Sequence, residues 1–153
     1  MFTAIIATSP FWLLLLTSRS GVQPPLRRVA VLPFLGAESP ENDRILEELA
    51  GAVATEISRY RRLETVPFQE SRTLKAKQSD LRRVAHDLGI DFIVTGAMLR
   101  VKEDLHLKIY LAAVQRPNLP FWLQDYPLPG GKPGEGLSRR IASDIVRAAS
   151  NFR

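Results

Sequence analysis

The chain has 153 residues, 45% of them hydrophobic and none of them cysteine. That is the size of one domain, with enough volume to bury a core without covalent staples, and it excludes disulfides, thiolate nucleophiles and Cys-based zinc sites. The net charge of +5 favours anionic partners in general. Its clusters (Arg27-Arg28, Arg59 to Arg62, Arg82-Arg83, Arg139-Arg140) are nevertheless short and interrupted by acids, the pattern of solvated helix ends and faces.

Residues 3–18 carry no charge, and Phe11 to Leu16 are strongly apolar. The run holds Pro10 and is shorter than the ~20 residues of a spanning helix, but it meets the ~7–15 residues of a signal-peptide core. Ser18, Ser20 and Gly21 offer a small-residue cleavage site, while no basic residue precedes the run. A cleaved export signal, a retained anchor and an over-extended start are all open readings, and the first two bring the chain to a membrane through residues 3–18. With no Cys after the run, a lipoprotein anchor is not available. Residues 1–20 are thus read as a signal-like or anchor segment and 21–27, with Gln23-Pro24-Pro25, as a stiff linker. Residues 28–153 are read as the folded domain.

Val29 to Phe34 is an apolar run too short for a helix, and Pro33 would break one. It suits a strand buried on both faces. Gly36 to Asn42 is turn material, with Pro40, Glu41 and Asp43 supplying helix-start chemistry. Ile45, Leu46, Leu49, Ala50, Val53, Ala54, Ile57 and Tyr60 then form one helical stripe. Leu63 to Val66 is a second strand closed by Pro67, and Gln69 to Gln78 reads as polar and irregular. Ser79 is placed to cap a second helix with Leu81, Val84, Ala85 and Leu88 buried, ended by Gly89 in the left-handed conformation.

Ile90 to Leu99 is an apolar strand in which Gly96 signals a close approach of other atoms. Lys102-Glu103-Asp104 is a tight turn. Leu105, Leu107, Ile109 and Leu111 alternate with His106, Lys108 and Tyr110, so that one face is buried and the other wet. Arg116-Pro117-Asn118 breaks the chain. Leu119 to Tyr126 returns as an edge strand, limited to the edge by Pro120, with Phe121 and Leu123 on one face and Trp122 on the other. After a loop from Pro127 to Gly136, Leu137, Ile141, Ile145, Ala148 and Phe152 mark a C-terminal amphipathic helix. The order β-α-β-α-β-β-β-α predicts an α/β (α+β) domain: one mixed, twisted sheet of about five strands packed by three helices.

The order and spacing of several pieces resemble the TolB N-terminal-like domain of FlgO-type flagellar proteins and, more distantly, the CsgG and LpoB group of envelope proteins. The pieces are Val29 to Phe34, Glu56-Ile57 leading to Leu63, and Leu81 through Ala85 to Leu88-Gly89-Ile90-Asp91. Phe92 to Gly96, the alternating strand and Trp122 complete the set. The resemblance covers residues 28–152. It implies that fold and a role in envelope-associated assembly or, as in copies beside adenylate cyclase and TPR modules, in cytoplasmic signalling scaffolds. It implies no catalytic residues.

The residues themselves offer no constellation for chemistry. His86 lies off its apolar stripe and His106 on the wet face of a strand, without convergent partners for metal or acid–base work. Gly130 to Gly136 lacks the Gly-Lys-Ser/Thr of a phosphate loop, because Pro133 follows Lys132. No serine sits in a nucleophile elbow. The expectation is therefore no catalytic residue, no cofactor and no metal. The expected partner is a protein or a second copy. Phe121, Trp122, Tyr126, Arg59, Arg61 and Arg62 are the candidate partner surface, with Trp122 packed under the C-terminal helix as the alternative for that residue. Arg59 to Arg62 with Tyr60 could also touch an anionic ligand or nucleic acid, but no recognition module follows and Tyr60 completes the helix stripe.

Overall fold

A computed structural model describes residues 26–36, 39–76 and 81–153. The signal-like segment 1–20, most of the linker and the Ser79 cap lie outside the described residues. The elements run β1 (Arg27–Val31), α1 (Pro40–Ser58), β2 (Leu63–Thr65), α2 (Phe68–Ala76), α3 (Leu81–Asp87), β3 (Phe92–Val101), β4 (Asp104–Ala113), β5 (Trp122–Leu128) and α4 (Leu137–Ser150). The strands form one mixed sheet in the order β2-β1-β3-β4-β5. Strand β1 is parallel to β2 and β3, whereas β3, β4 and β5 form an antiparallel meander.

The expected β1 run is buried on both sides. Val29, Val31 and Phe34 enter one core cluster, and Ala30 and Leu32 enter another on the opposite face. Beyond Val31 the chain keeps following β3, with the Leu32 amide donating to Val94 and the Leu35 amide to Gly96. Pro33 has no amide to donate, which interrupts a regular ladder there. Ser39 caps α1 by accepting from the Asn42 amide at 3.2 Å, with Pro40 in the first turn. Leu46, Leu49, Ala50, Val53, Ala54 and Ile57 of the predicted stripe are buried. Each Leu, Val or Ile among them is worth roughly 1.5–3 kcal/mol of gross burial.

Two local expectations are corrected. The polar segment after Pro67 is helical, not irregular: α2 spans Phe68–Ala76. Its period is thin because, among the side chains described, Phe68, Ser71 and Leu74, three residues apart, are those that turn inward. Phe68 fits where Gly51 leaves room on α1, its ring 3.3 Å from the position a Cβ would take there. Leu88, expected on the buried face of α3, is exposed. The helix ends at Asp87, and Leu88 belongs to the turn that Gly89 closes at φ +65°. Both Gly96 and the Lys102 turn behave as the sequence implies. Val101 pairs with Asp104, leaving Lys102 and Glu103 as the loop, with Lys102 at φ 58°.

Topology decides which faces of the sheet are covered. From β1 the chain steps outward to β2, then back across β1 to β3. Right-handed crossovers in opposite directions put their helices on opposite faces. Accordingly α1 packs on the Val29 and Val31 side, and Leu74 of α2 with Ala85 of α3 packs on the Ala30 and Leu32 side. The meander β3-β4-β5 contributes no crossover helix. Only α4 follows it, and α4 joins α1 through Ile141, Ala142, Ile145, Val146 and Ala149. Helices thus pack on both faces of the β1 side of the sheet but on one face of the meander. Among the described residues, no helix lies over the second face of β4 and β5. No helix among them is long and apolar enough to cross a membrane.

Candidate functional site

The uncovered area follows from strand register. Residues paired across strands share a face, so Leu35 and Ala97 belong with Lys108 and Asp125, Leu99 with His106 and Pro127, and Thr95 with Tyr110 and Leu123. Val101 continues the same face beside Asp104. Solvated faces of antiparallel sheets are normally polar. Here Leu35, Leu99, Val101 and Leu123 are 52%, 41%, 40% and 51% exposed. They are half of the eight large apolar side chains that stand exposed among the described residues, so the exposure is concentrated and not scattered. Inside this apolar frame His106 Nδ1 and Asp125 Oδ1 lie 2.8 Å apart, and Lys108 is the cross-strand neighbour of Asp125.

A groove runs along the other side of β5. Strand β5 is the sheet edge, and α4 lies beside it. Trp122 and Gln124 from the strand and Arg140, Asp144, Arg147, Ala148 and Asn151 from the helix enclose 380 Å³. Trp122 is half-buried and packs on the main core, so it is both anchored and presented. Tyr126 lies deeper. Its hydroxyl donates to Asp144 Oδ2 at 2.7 Å, and the Arg140 guanidinium sits 5.6 Å from its ring centre. Burial first, then the hydrogen bond to Asp144 and the charge of that carboxylate, push the Tyr126 phenol far above its ordinary range, against an opposing pull from Arg140.

The sequence candidates divide accordingly. Tyr126 is a core residue, 1% exposed, and is corrected as a surface contact. Phe121 does not share a face with Leu123. It precedes β5, where period two does not hold, and its ring packs at 4.3 Å from Phe152 and 5.7 Å from Phe92 between centroids. Arg27 closes this knot, 5.5 Å from the Phe92 centroid and donating to the Phe152 carbonyl at 3.1 Å. Arg59 pairs with Glu56 at 3.5 Å. Arg61 and Arg62 are exposed in the turn before β2. Arg62 shares a second cleft with Tyr60, with Arg147 of α4 and with Asn151, which caps that helix; the last two also line the Trp122 groove. The fold thus joins Trp122 and Arg62 through Arg147 and Asn151. The signal for this was legible only in part: Arg140 and Arg147, seven residues apart, lie off the apolar stripe of α4.

Each imidazole has one carboxylate beside it, which for His106 is Asp125. His86 is exposed, with Asp87 at 3.8 Å. It lines a 670 Å³ cleft with Arg82, Arg83, Asp91 and Gln115. There the Asp91 carboxylate is occupied, accepting from the Arg28 amide at 2.8 Å. Among the described residues, no three His, Asp or Glu side chains come together.

No protein-family model matches the chain, and no curated protein matches it. Among solved structures, the hypothetical protein CT253 from Chlamydia trachomatis superposes with a TM-score of 0.51 at 11% identity, over 82% of this chain and 97% of its own. Lipoprotein GNA1162 from Neisseria meningitidis gives 0.47 at 14% identity, over 81% and 96%. The C-terminal domain of LpoB from Escherichia coli gives 0.45 at 11% identity, over 76% and 92%. At these identities the likeness is one of fold alone, and it is the CT253 superposition that carries it.

Proposed function

We propose that this chain is a non-enzymatic interaction module of the cell envelope, of TolB-like or FlgO-type affiliation, that binds a protein partner or a second copy of itself through the open face of β3, β4 and β5. The observation that carries the reading is the concentration of Leu35, Leu99, Val101 and Leu123 on that one face. Large apolar side chains exposed together on one face mark association surfaces. Burying the exposed part of these four side chains is worth roughly 3–5 kcal/mol. Ordering two proteins costs about 4–15 kcal/mol, so the patch needs further contacts beside it for a lasting complex. The His106–Asp125 pair and Lys108 supply polar contacts within the same area. The envelope placement is supported by the uncharged run at residues 3–18 and by the order of the sequence motifs.

A photo-cross-linking residue placed at Leu99 or Leu123 of the full chain in living cells is expected to give a discrete adduct. The same residue at Arg44, exposed on α1, is expected to give none. Mass analysis of the adduct identifies the neighbour, and fractionation with N-terminal sequencing of the chain reports its compartment. Equal labelling at all three positions, or no adduct from the sheet face, contradicts the interaction reading. Recovery only with cytosolic proteins contradicts the envelope placement.

A further inference from the structure

We infer that the groove between β5 and α4 takes an extended acidic segment of a protein partner, which adds to the sheet as a sixth strand beside β5. The inference rests on the reading of this chain as an interaction module and goes beyond it to a second site, the outer edge of β5 and the α4 side of the sheet.

The backbone supplies the first half of the argument. Strand β5 is paired to β4 on one side only, and among the described residues no strand pairs with its other side. An edge strand turns alternate N–H and C=O groups outward, a template for one more strand. Natural edges are guarded by proline or inward charge. Here Pro127 guards the far end and Pro120 precedes the strand, which leaves Trp122 to Tyr126 between them. In strand addition, main-chain hydrogen bonds hold the segment and side-chain pockets select it.

The side chains supply the second half. On the groove side an added strand meets Trp122, Gln124, Arg140, Asp144, Arg147 and Asn151. Arg140 and Arg147 form no ion pair with any described residue, although Asp144 lies between them on the same helix. The Asp144 carboxylate accepts the Tyr126 hydroxyl instead. Two guanidinium groups thus face the groove without a carboxylate partner, and Arg62 stands beyond Arg147 in the adjoining cleft. Guanidinium groups hold carboxylates by paired, charge-assisted hydrogen bonds.

Spacing narrows the pattern. Seven helical residues separate Arg140 from Arg147, about 10.5 Å along the axis. Same-face side chains of a strand recur every ~6.8 Å. Two acids separated by one residue therefore fall between the two arginines, within reach of both flexible side chains. Trp122 offers an apolar floor to the next same-face residue. The segment is expected to read acid-x-acid followed by an apolar residue two positions on.

The test uses the full chain and a fluorescein-labelled peptide, Thr-Glu-Val-Glu-Thr-Val, followed by anisotropy at moderate salt. Saturable binding is expected. Replacing both Glu by Lys, or replacing the residues between and after the acids by Pro so that backbone donors are lost, is expected to weaken it at least tenfold. The Arg140→Glu/Arg147→Glu double variant is expected to lose at least tenfold. If that variant melts early, the Arg140→Gln/Arg147→Gln pair, checked by thermal melting, takes its place. Leu99→Asp, on the open face, is expected to leave peptide affinity unchanged. Absence of saturable binding, equal binding of the Lys peptide, or indifference to both arginine pairs overturns the acidic specificity. Equal binding of the Pro peptide overturns strand addition. Loss of the Leu99 cross-link with peptide binding intact rejects the open-face reading and keeps this one; the reverse result does the opposite.

Discussion

Replacing Gly96 with alanine introduces a methyl group at a closely packed point of the core. A Cβ at Gly96 would lie 2.7 Å from Cδ1 of Phe34 and 2.8 Å from Cδ1 of Ile109, whereas carbons pack at ~3.5–4.0 Å. Neither neighbour has room to swing away, because Phe34 and Ile109 are 2% and 0% exposed. Overpacking of this kind costs about 1–3 kcal/mol. Two neighbours must yield by close to an ångström here, which places Gly96→Ala at the upper end, ~2–3 kcal/mol. In a domain of this size each kcal/mol lowers the Tm by ~3–5 °C, so a drop of roughly 6–15 °C is expected in thermal unfolding followed by circular dichroism. Ile109→Val removes the Cδ1 atom that clashes. Alone it should cost about 0.5–1.5 kcal/mol, but combined with Gly96→Ala it should recover part of the loss. The double variant is then less destabilised than the sum of the two, by at least ~0.5 kcal/mol. A Gly96→Ala variant as stable as the parent, or strict additivity with Ile109→Val, would refute the assignment of Gly96 to close packing.

Two further outcomes probe buried polar groups. Ser71 is fully buried in α2, and its hydroxyl has no hydrogen-bond partner among the described residues. Ser71→Ala removes a buried hydroxyl without a partner, so the stability measured by urea unfolding should hold or rise by up to ~1 kcal/mol; a loss of that size would show a partner for the hydroxyl. Tyr126→Phe removes the hydrogen bond to Asp144, at a cost of about 1 kcal/mol near pH 8. The native fold raises the Tyr126 phenol above its ordinary range, so the folded chain holds this proton more tightly than the unfolded one. The contribution is complete below a pH of ~10 and is lost as pH rises beyond it. The stability gap between the parent and Tyr126→Phe should close on the alkaline side. A gap that widens with pH contradicts the burial of that phenol.

Much of the architecture was legible because local patterns and tertiary demands coincide. The α1 stripe, its Pro40 start, the Gly89 turn and the alternation along β4 each need only one element and one periodicity to be recognised. Helix α2 was missed because three inward residues among polar neighbours make too weak a stripe. Phe121 was misplaced because strand alternation was extended past the point where β5 begins. Of the candidate site, Trp122 and Arg62 were legible as residues, but the link between them was not. That link is α4, which brings Arg147 and Asn151 to both from more than twenty residues further along the chain than Trp122.

The sequence by itself determined the α/β class, the number and order of strands, and the buried side of nearly every element, because these follow from the period of apolar residues and from the backbone limits of Pro and Gly. Only the tertiary structure decided that β3, β4 and β5 keep one face open and one edge unpaired. In the sequence Leu99 only ends an apolar strand and Leu123 only alternates with Trp122 on an edge strand, and neither pattern tells a covered face from an open one. Whether an apolar side chain is covered depends on where crossover helices land, and the meander supplies none to that side.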